Sequence, residues 1–119
     1  MALPELAVLF ENGALAEANI SGLVGGVTVQ GQIDRMAITS DKIIIADFKT
    51  GMPPENLSDI PPAYLRQMAL YGALAEQIYP GRKVECLLIW TQIIKVVEVP
   101  KSARNQMLEN LIKEHRQAH

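Results

Sequence analysis

Residues 43–51 read IIIADFKTG. Four consecutive apolar residues, three of them β-branched isoleucines, favour an extended strand. Apolar side chains at both odd and even positions predict a strand covered on both faces, in the middle of a sheet. The run ends in Asp47 and Lys49, two opposite charges either side of Phe48. On a strand, residues i and i+2 share a face. Asp47 and Lys49 are therefore expected to point the same way, at the carboxyl end of that central strand.

Upstream, EANISGLVGG (17–26) reads as a strand ending at a turn, with Gly22, Gly25 and Gly26 as punctuation. VTVQGQIDRMAI (27–38) alternates and reads as the second strand of a hairpin. Ser40–Lys42 is a tight turn into the third strand. Folding the chain back about Ser40 and Asp41 sets Asp34 opposite Asp47, about 5 Å away as a cross-strand pair. Two carboxylates that close repel unless something positive lies between them. A divalent metal fits, because Mg²⁺ takes one or two carboxylates together with waters and phosphate oxygens. Lys49 beside that ion could orient a water or offset charge on a phosphate. A structural salt-bridge cluster, Asp47 or Asp34 with Lys49 or Arg35, explains the same residues without a metal.

Downstream, GMPPENLSDIPP (51–62) holds four prolines in twelve residues and is expected to be a loop. AYLRQMALYGALAEQIY (63–79) predicts a helix opened by Pro61–Pro62 and stopped by Pro80–Gly81. Leu65, Met68, Ala69, Ala73 and Leu74 form its apolar stripe. Gly72 within it costs about 1 kcal/mol against Ala, which points to close packing there. Gln67 and Tyr71, with Tyr64 a turn earlier, share another face. That face either borders the site or is a wet face with a tyrosine packed flat on the domain. KVECLLIWT and IKVVEV predict a fourth and fifth strand turning near Gln92. A last helix, capped by Ser102, is expected to bury Met107, Leu108, Leu111 and Ile112 and to pair Glu109 with Lys113. The order is β-β-β-α-β-β-α, an α/β fold with a mixed central sheet flanked by helices.

With 119 residues the chain suits one domain. It is 49% hydrophobic and 20% charged, the balance of a globular protein. No apolar run approaches the roughly 20 residues that span a bilayer, and the start lacks a basic signal-peptide region, so a cytoplasmic protein is expected. The single Cys86 reads as a buried, reduced thiol. A net charge of −2 and a pI near 5.6 argue against gripping nucleic acid by bulk electrostatics, though not against meeting phosphates through a metal or with help from a larger partner. Glu17 could add a third carboxylate or simply face solvent. His115 and His119 read as surface residues and Trp90 as a cap on the core. There is no glycine-rich phosphate loop, Cys/His cluster or Ser-His-Asp set.

The ordered segments GQIDRM, IIIADFKTG, YLRQMALYGALAEQIYPG and LLIWT resemble the PD-(D/E)XK nuclease superfamily. Within it they are most similar to RecB-type domains, closest to the C-terminal nuclease domain of the AddA subunit of bacterial AddAB helicase–nucleases. The resemblance implies a restriction-endonuclease-like fold. It implies that Asp34 and Asp47 ligate Mg²⁺, or Mn²⁺ in its place, with the Phe48 main-chain carbonyl as a further ligand. Lys49 would position the attacking water and stabilise the transition state. Gln67 and Tyr71 match the Gln-x-x-x-Tyr motif that shapes the site and contacts DNA. The implied reaction is metal-dependent hydrolysis of DNA phosphodiester bonds during double-strand break repair and recombination. The implied partners are DNA, a helicase portion of a longer parent chain and an AddB-like subunit. RecB-type domains carry a His or Glu on a helix before the first strand. Residues 1–10 are expected to be too short for that helix, and only Glu5 and the following Glu11 are on offer, so the chain reads as one domain excised from a larger protein. A catalytically silent module that binds DNA ends or a partner subunit is the alternative.

Overall fold

The computed structural model describes residues 4–11 and 13–118. A short helix α1 (Pro4–Leu9) precedes strands β1 (Leu15–Val24), β2 (Val27–Ile38) and β3 (Lys42–Lys49). Helix α2 (Pro62–Ile78), strands β4 (Lys83–Trp90) and β5 (Lys95–Glu98) and helix α3 (Lys101–Ala118) follow. The strands form one mixed sheet in the order β1-β2-β3-β4-β5. Helix α1 is an addition to the expected order; six residues are too few for a helical period to show in the sequence. The proline-rich segment is a loop apart from one 3₁₀ turn at Leu57–Asp59.

β3 is central, as its two-sided apolar run requires. Ile43, Ile44, Ile45 and Ala46 are each 0% exposed, so both faces are covered. Ile43 and Ile45 enter one core with Ile33, Met68, Leu74 and Leu88, on the side of α2. Ile44 and Ala46 enter a second core with Leu9, Ala37, Leu87 and Ile89. β4 runs parallel to β3 from Lys42↔Lys83 to Lys49↔Trp90. A parallel pair needs a crossover, and α2 supplies it. The outer pairs, β1–β2 and β4–β5, are antiparallel hairpins. Gly25 and Gly26 close the first, both with positive φ (56° and 86°), as a two-residue turn between twisted strands demands.

α3 begins at Lys101, one residue before Ser102, with the Arg104 N–H donating to the Pro100 carbonyl at 3.0 Å. Ser102 is therefore in the first turn and not the cap. Glu109 and Lys113 form no ion pair; the helix is held instead through Arg104, which is buried. Its guanidinium donates to the carbonyls of Val99 (3.2 Å) and Val84 (2.9 Å) and lies 4.0 Å from Glu76. Gly72 is the space for it: a Cβ there would collide with this guanidinium and sit 3.1 Å from the Cys86 sulfur. Burial pushes the Cys86 thiol up to about 12, so it stays protonated and inert. No helix among the described residues is long and apolar enough to cross a membrane.

Candidate active site

The β2–β3 ladder has the expected register, from Ile38↔Ile43 to Arg35↔Ala46. One step further the backbone pairing stops, and the side chain of Asp34 replaces it. Its Oδ2 accepts the Phe48 N–H at 2.8 Å. Asp34 is thereby tied to the residue between Asp47 and Lys49. Asp47 is 6% exposed, and its carboxyl forms an ion pair with the Lys49 ammonium. Burial pushes the Asp47 pKa up from its ordinary value; Lys49 pulls it down, and the neighbouring Asp34 carboxyl pushes it up further. The two acids thus lie beside each other at the carboxyl end of the central strand.

Lys49 is held from three sides. Besides Asp47, its Nζ donates to Gln67 Oε1 at 3.2 Å and stands 3.9 Å from the centre of the Tyr64 ring. A ring face at that distance attracts an ammonium. Tyr64 in turn meets Trp90, itself 2% exposed, at 6.3 Å. The crossover explains why these two helix residues arrive here. α2 starts just past the carboxyl end of β3 and runs back over the sheet, so its first turns overlie Lys49. Tyr71 lies four residues beyond Gln67, about 6 Å further along the axis. It packs into the core under α2, its hydroxyl against Gly31, where any Cβ would collide with it. The structure therefore brings together Asp34, Asp47, Lys49, Gln67 and Tyr64, the last from the helix face expected to border the site, and puts Tyr71 in the supporting layer behind them.

Main-chain groups at the strand end are also fixed. The Lys49 carbonyl accepts the Thr91 N–H at 3.1 Å on the β4 side. Successive carbonyls of a strand alternate sides, and a residue's own N–H and C=O point the same way. Phe48, whose N–H reaches Asp34, therefore turns its carbonyl toward Asp34 as well. Gln92 in the β4–β5 turn clamps the segment from outside by accepting the Gly51 N–H at 3.2 Å.

Sequence reasoning missed an irregularity in β1. Glu17 adopts φ 53°, a left-handed conformation costing about 1–2 kcal/mol for a residue with a Cβ. Ala16 pairs with Arg35 and Ala18 with Ile33, and the Glu17–Asp34 step between them is left out of the ladder. At the same step β2 loses its alternation, since Ile33 and Met36, three residues apart, enter the same core. The kink sits at the level of Asp34. Glu17 itself is exposed, and no group of three His, Cys, Asp or Glu among the described residues is placed to hold a metal. Glu11 is exposed, the side chain of Glu5 and His119 lie outside what is described, and His115 is half-buried beside Gly26. The donors that do converge, two carboxylates and a carbonyl, are hard oxygens. They suit Mg²⁺ or Mn²⁺ and not a thiolate-seeking metal.

The sequence matches the PD-(D/E)XK nuclease superfamily over residues 4–118. No curated protein matches it. Among solved structures, a protein from Eubacterium rectale described as a "putative exonuclease" superposes with a TM-score of 0.70 at 15% identity. The match covers 96% of this chain and 46% of that one, so the chain spans less than half of its length. The protein SSO0001 matches with a TM-score of 0.49 at 19% identity, over 92% of this chain and 55% of that one. The first superposition establishes the restriction-endonuclease-like sheet, and the sequence match runs through every strand and helix of it. The chain belongs to the PD-(D/E)XK nuclease superfamily.

Proposed function

We propose that this domain hydrolyses DNA phosphodiester bonds, with Mg²⁺ or Mn²⁺ held by Asp34, Asp47 and the Phe48 carbonyl. The observation that carries the reading is the setting of Lys49: an ammonium fixed by Asp47, Gln67 and Tyr64, with the Asp34 carboxyl tied to the Phe48 N–H beside it. When bound, the ion supplies Lewis-acid polarisation of the phosphate and a more acidic water. Asp34 and Asp47 hold their charge at one point of the sheet edge. Lys49 donates a hydrogen bond to the attacking water or to the phosphate oxygen on which charge builds. Gln67 and Tyr64 keep that ammonium aimed, so it needs no reorganisation during reaction. Tyr71 supports the helix face that carries them.

The RecB-type motif order, with Gln67 and Tyr71 in the Gln-x-x-x-Tyr pattern, supports a helicase–nuclease parent of the AddA kind. Such a parent would supply a helicase portion and an AddB-like partner subunit and act in double-strand break repair and recombination. The description of the Eubacterium rectale protein supports exonuclease action in particular. The test is cleavage of linear single- and double-stranded DNA with Mg²⁺ or Mn²⁺ by this chain and by Lys49→Ala. Cutting by the first alone is expected; equal cutting by both would overturn the role of Lys49. The second reading, a silent module that binds DNA ends or a partner, is favoured by the Lys49–Asp47 ion pair and by the lack of a third acid among the described residues. A wild-type chain that neither cuts DNA nor gains thermal stability from either metal would establish it.

A further inference from the structure

β3 alternates at its carboxyl end: Asp47 and Lys49 point toward α2, and Phe48 between them points to the other face. There the Phe48 ring lies parallel to Phe10, at an interplanar angle of 3° with centroids 6.4 Å apart. The guanidinium of Arg35 stands 4.8 Å from the centre of the Phe10 ring. These rings are not core. Phe10 is 58% exposed and Phe48 is 37% exposed, while the apolar residues earlier on the same strand, Ile43 to Ala46, are fully enclosed. The ring separation is at the wide end of the range in which aromatic pairs interact. Arg35 forms no ion pair with any described acid, so its charge is free to meet a phosphate. An exposed phenyl pair with an arginine beside it has the composition of a stacking platform for unpaired bases.

Resting on the nuclease reading above, we propose that Phe10, Phe48 and Arg35 bind the unpaired bases of the strand being cut, next to the scissile phosphate. Phe48 is one residue from both Asp47 and Lys49, so a strand whose phosphate sits at those two side chains passes over the sheet edge that Phe48 occupies. Bases have π faces regardless of sequence, so the platform prefers single strands over duplex without preferring a sequence. Arg35 supplies charge complementarity to the adjoining phosphate in a chain whose net charge is negative.

The test is fluorescence anisotropy of labelled oligo(dT) and of a blunt duplex, in chelator so that nothing is cut, with cleavage assayed separately in Mg²⁺. Phe10→Ala, at an exposed site outside the metal-binding set, is expected to weaken single-strand binding by about 5- to 150-fold and leave duplex binding within about twofold. Phe10→Leu should behave as Phe10→Ala, because it keeps apolar bulk without a π face, and Phe10→Trp should restore affinity. Arg35→Gln should weaken binding and flatten its salt dependence by roughly 0.7 in log–log slope. Wild-type affinity in Phe10→Ala, with DNA still cut, overturns the platform, leaves the nuclease reading intact and makes the stack a contact for another protein. Loss of single-strand binding in Phe10→Ala from a chain that does not cut supports the platform and sinks the catalytic reading. A wild-type chain that neither binds nor cuts any oligonucleotide overturns both.

Discussion

The central strand pair carries a buried acid next to lysine at each of its ends, and the two ends differ in charge balance. At the amino ends of β3 and β4, Glu85 has a side chain only 7% exposed, with Lys42 at 3.5 Å and Lys83 at 3.8 Å. Two cations there surround one acid. Glu85 Oε2 has no hydrogen-bond partner, so even the existing charges are imperfectly matched. At the carboxyl end, Lys49 pairs with Asp47 and is further held by an amide and a ring, while the second acid, Asp34, is bound to the Phe48 N–H. The first cluster repels an added cation and the second attracts one. A buried acid–lysine pair is thus no mark of function; the surplus of negative charge at one end of the strand is.

Catalysis should break the symmetry between the two ends most sharply. Lys49→Ala is expected to slow DNA cleavage by about 100-fold or more, the scale for removing one donor from developing charge. Lys42→Ala, a partly exposed residue in the other cluster, should leave the rate within about twofold. Equal losses would mean that both lysines act only through stability.

Metal binding comes next. With free Mg²⁺ or Mn²⁺ at 100 times its Kd, a formed site adds about 2.7 kcal/mol of stability, read as a rise of several degrees in Tm. Asp47→Ala should abolish that rise and Asp34→Asn should reduce or abolish it, while Glu85→Gln should keep it. A rise that survives Asp47→Ala would place the ion elsewhere.

A smaller effect is expected at Gln67, which touches Lys49 and acts by aiming it. Gln67→Leu should lower kcat about tenfold and leave KM for DNA within about twofold, since the chemistry and not the binding depends on that aim. A change confined to KM would make Gln67 a DNA contact.

The candidate site was more legible in the sequence than its surroundings. The register that sets Asp34 against Asp47 followed from a tight turn and a period of two, both local, and β3 was central because its isoleucines fill both parities. The residues read less well are those whose role depends on a contact made only after folding. Tyr71 was drawn back by the gap at Gly31. Arg104 is a charged residue buried by two carbonyls, Val84 and Val99, that its own helix does not contain. Ser102 missed the cap because Pro100, just before α3, already offers the carbonyl that starts the helix. Helix α1 was too short to show a period, yet it brings Leu9 into the second core and leads to Phe10 beside Phe48.

The smallest effect concerns Glu17, the residue opposite Asp34 whose backbone is strained and whose side chain is exposed. If the site uses two acids only, the carboxylate of Glu17 is dispensable and its φ of 53° is the whole of its role. Glycine adopts that φ freely, which removes about 1 kcal/mol of strain, and loses a similar amount through the greater freedom of the unfolded chain. Glu17→Gly should therefore melt within a few degrees of wild type and keep both the metal-induced rise and the cleavage rate. Glu17→Val, β-branched in a left-handed conformation, should cost about 1–2 kcal/mol and should loosen Asp34 from the Phe48 N–H. A Glu17→Gly chain that folds normally but loses the metal-induced rise would add a third acid to the carboxyl end. The charge surplus that separates the two ends of β3 would then be larger by one.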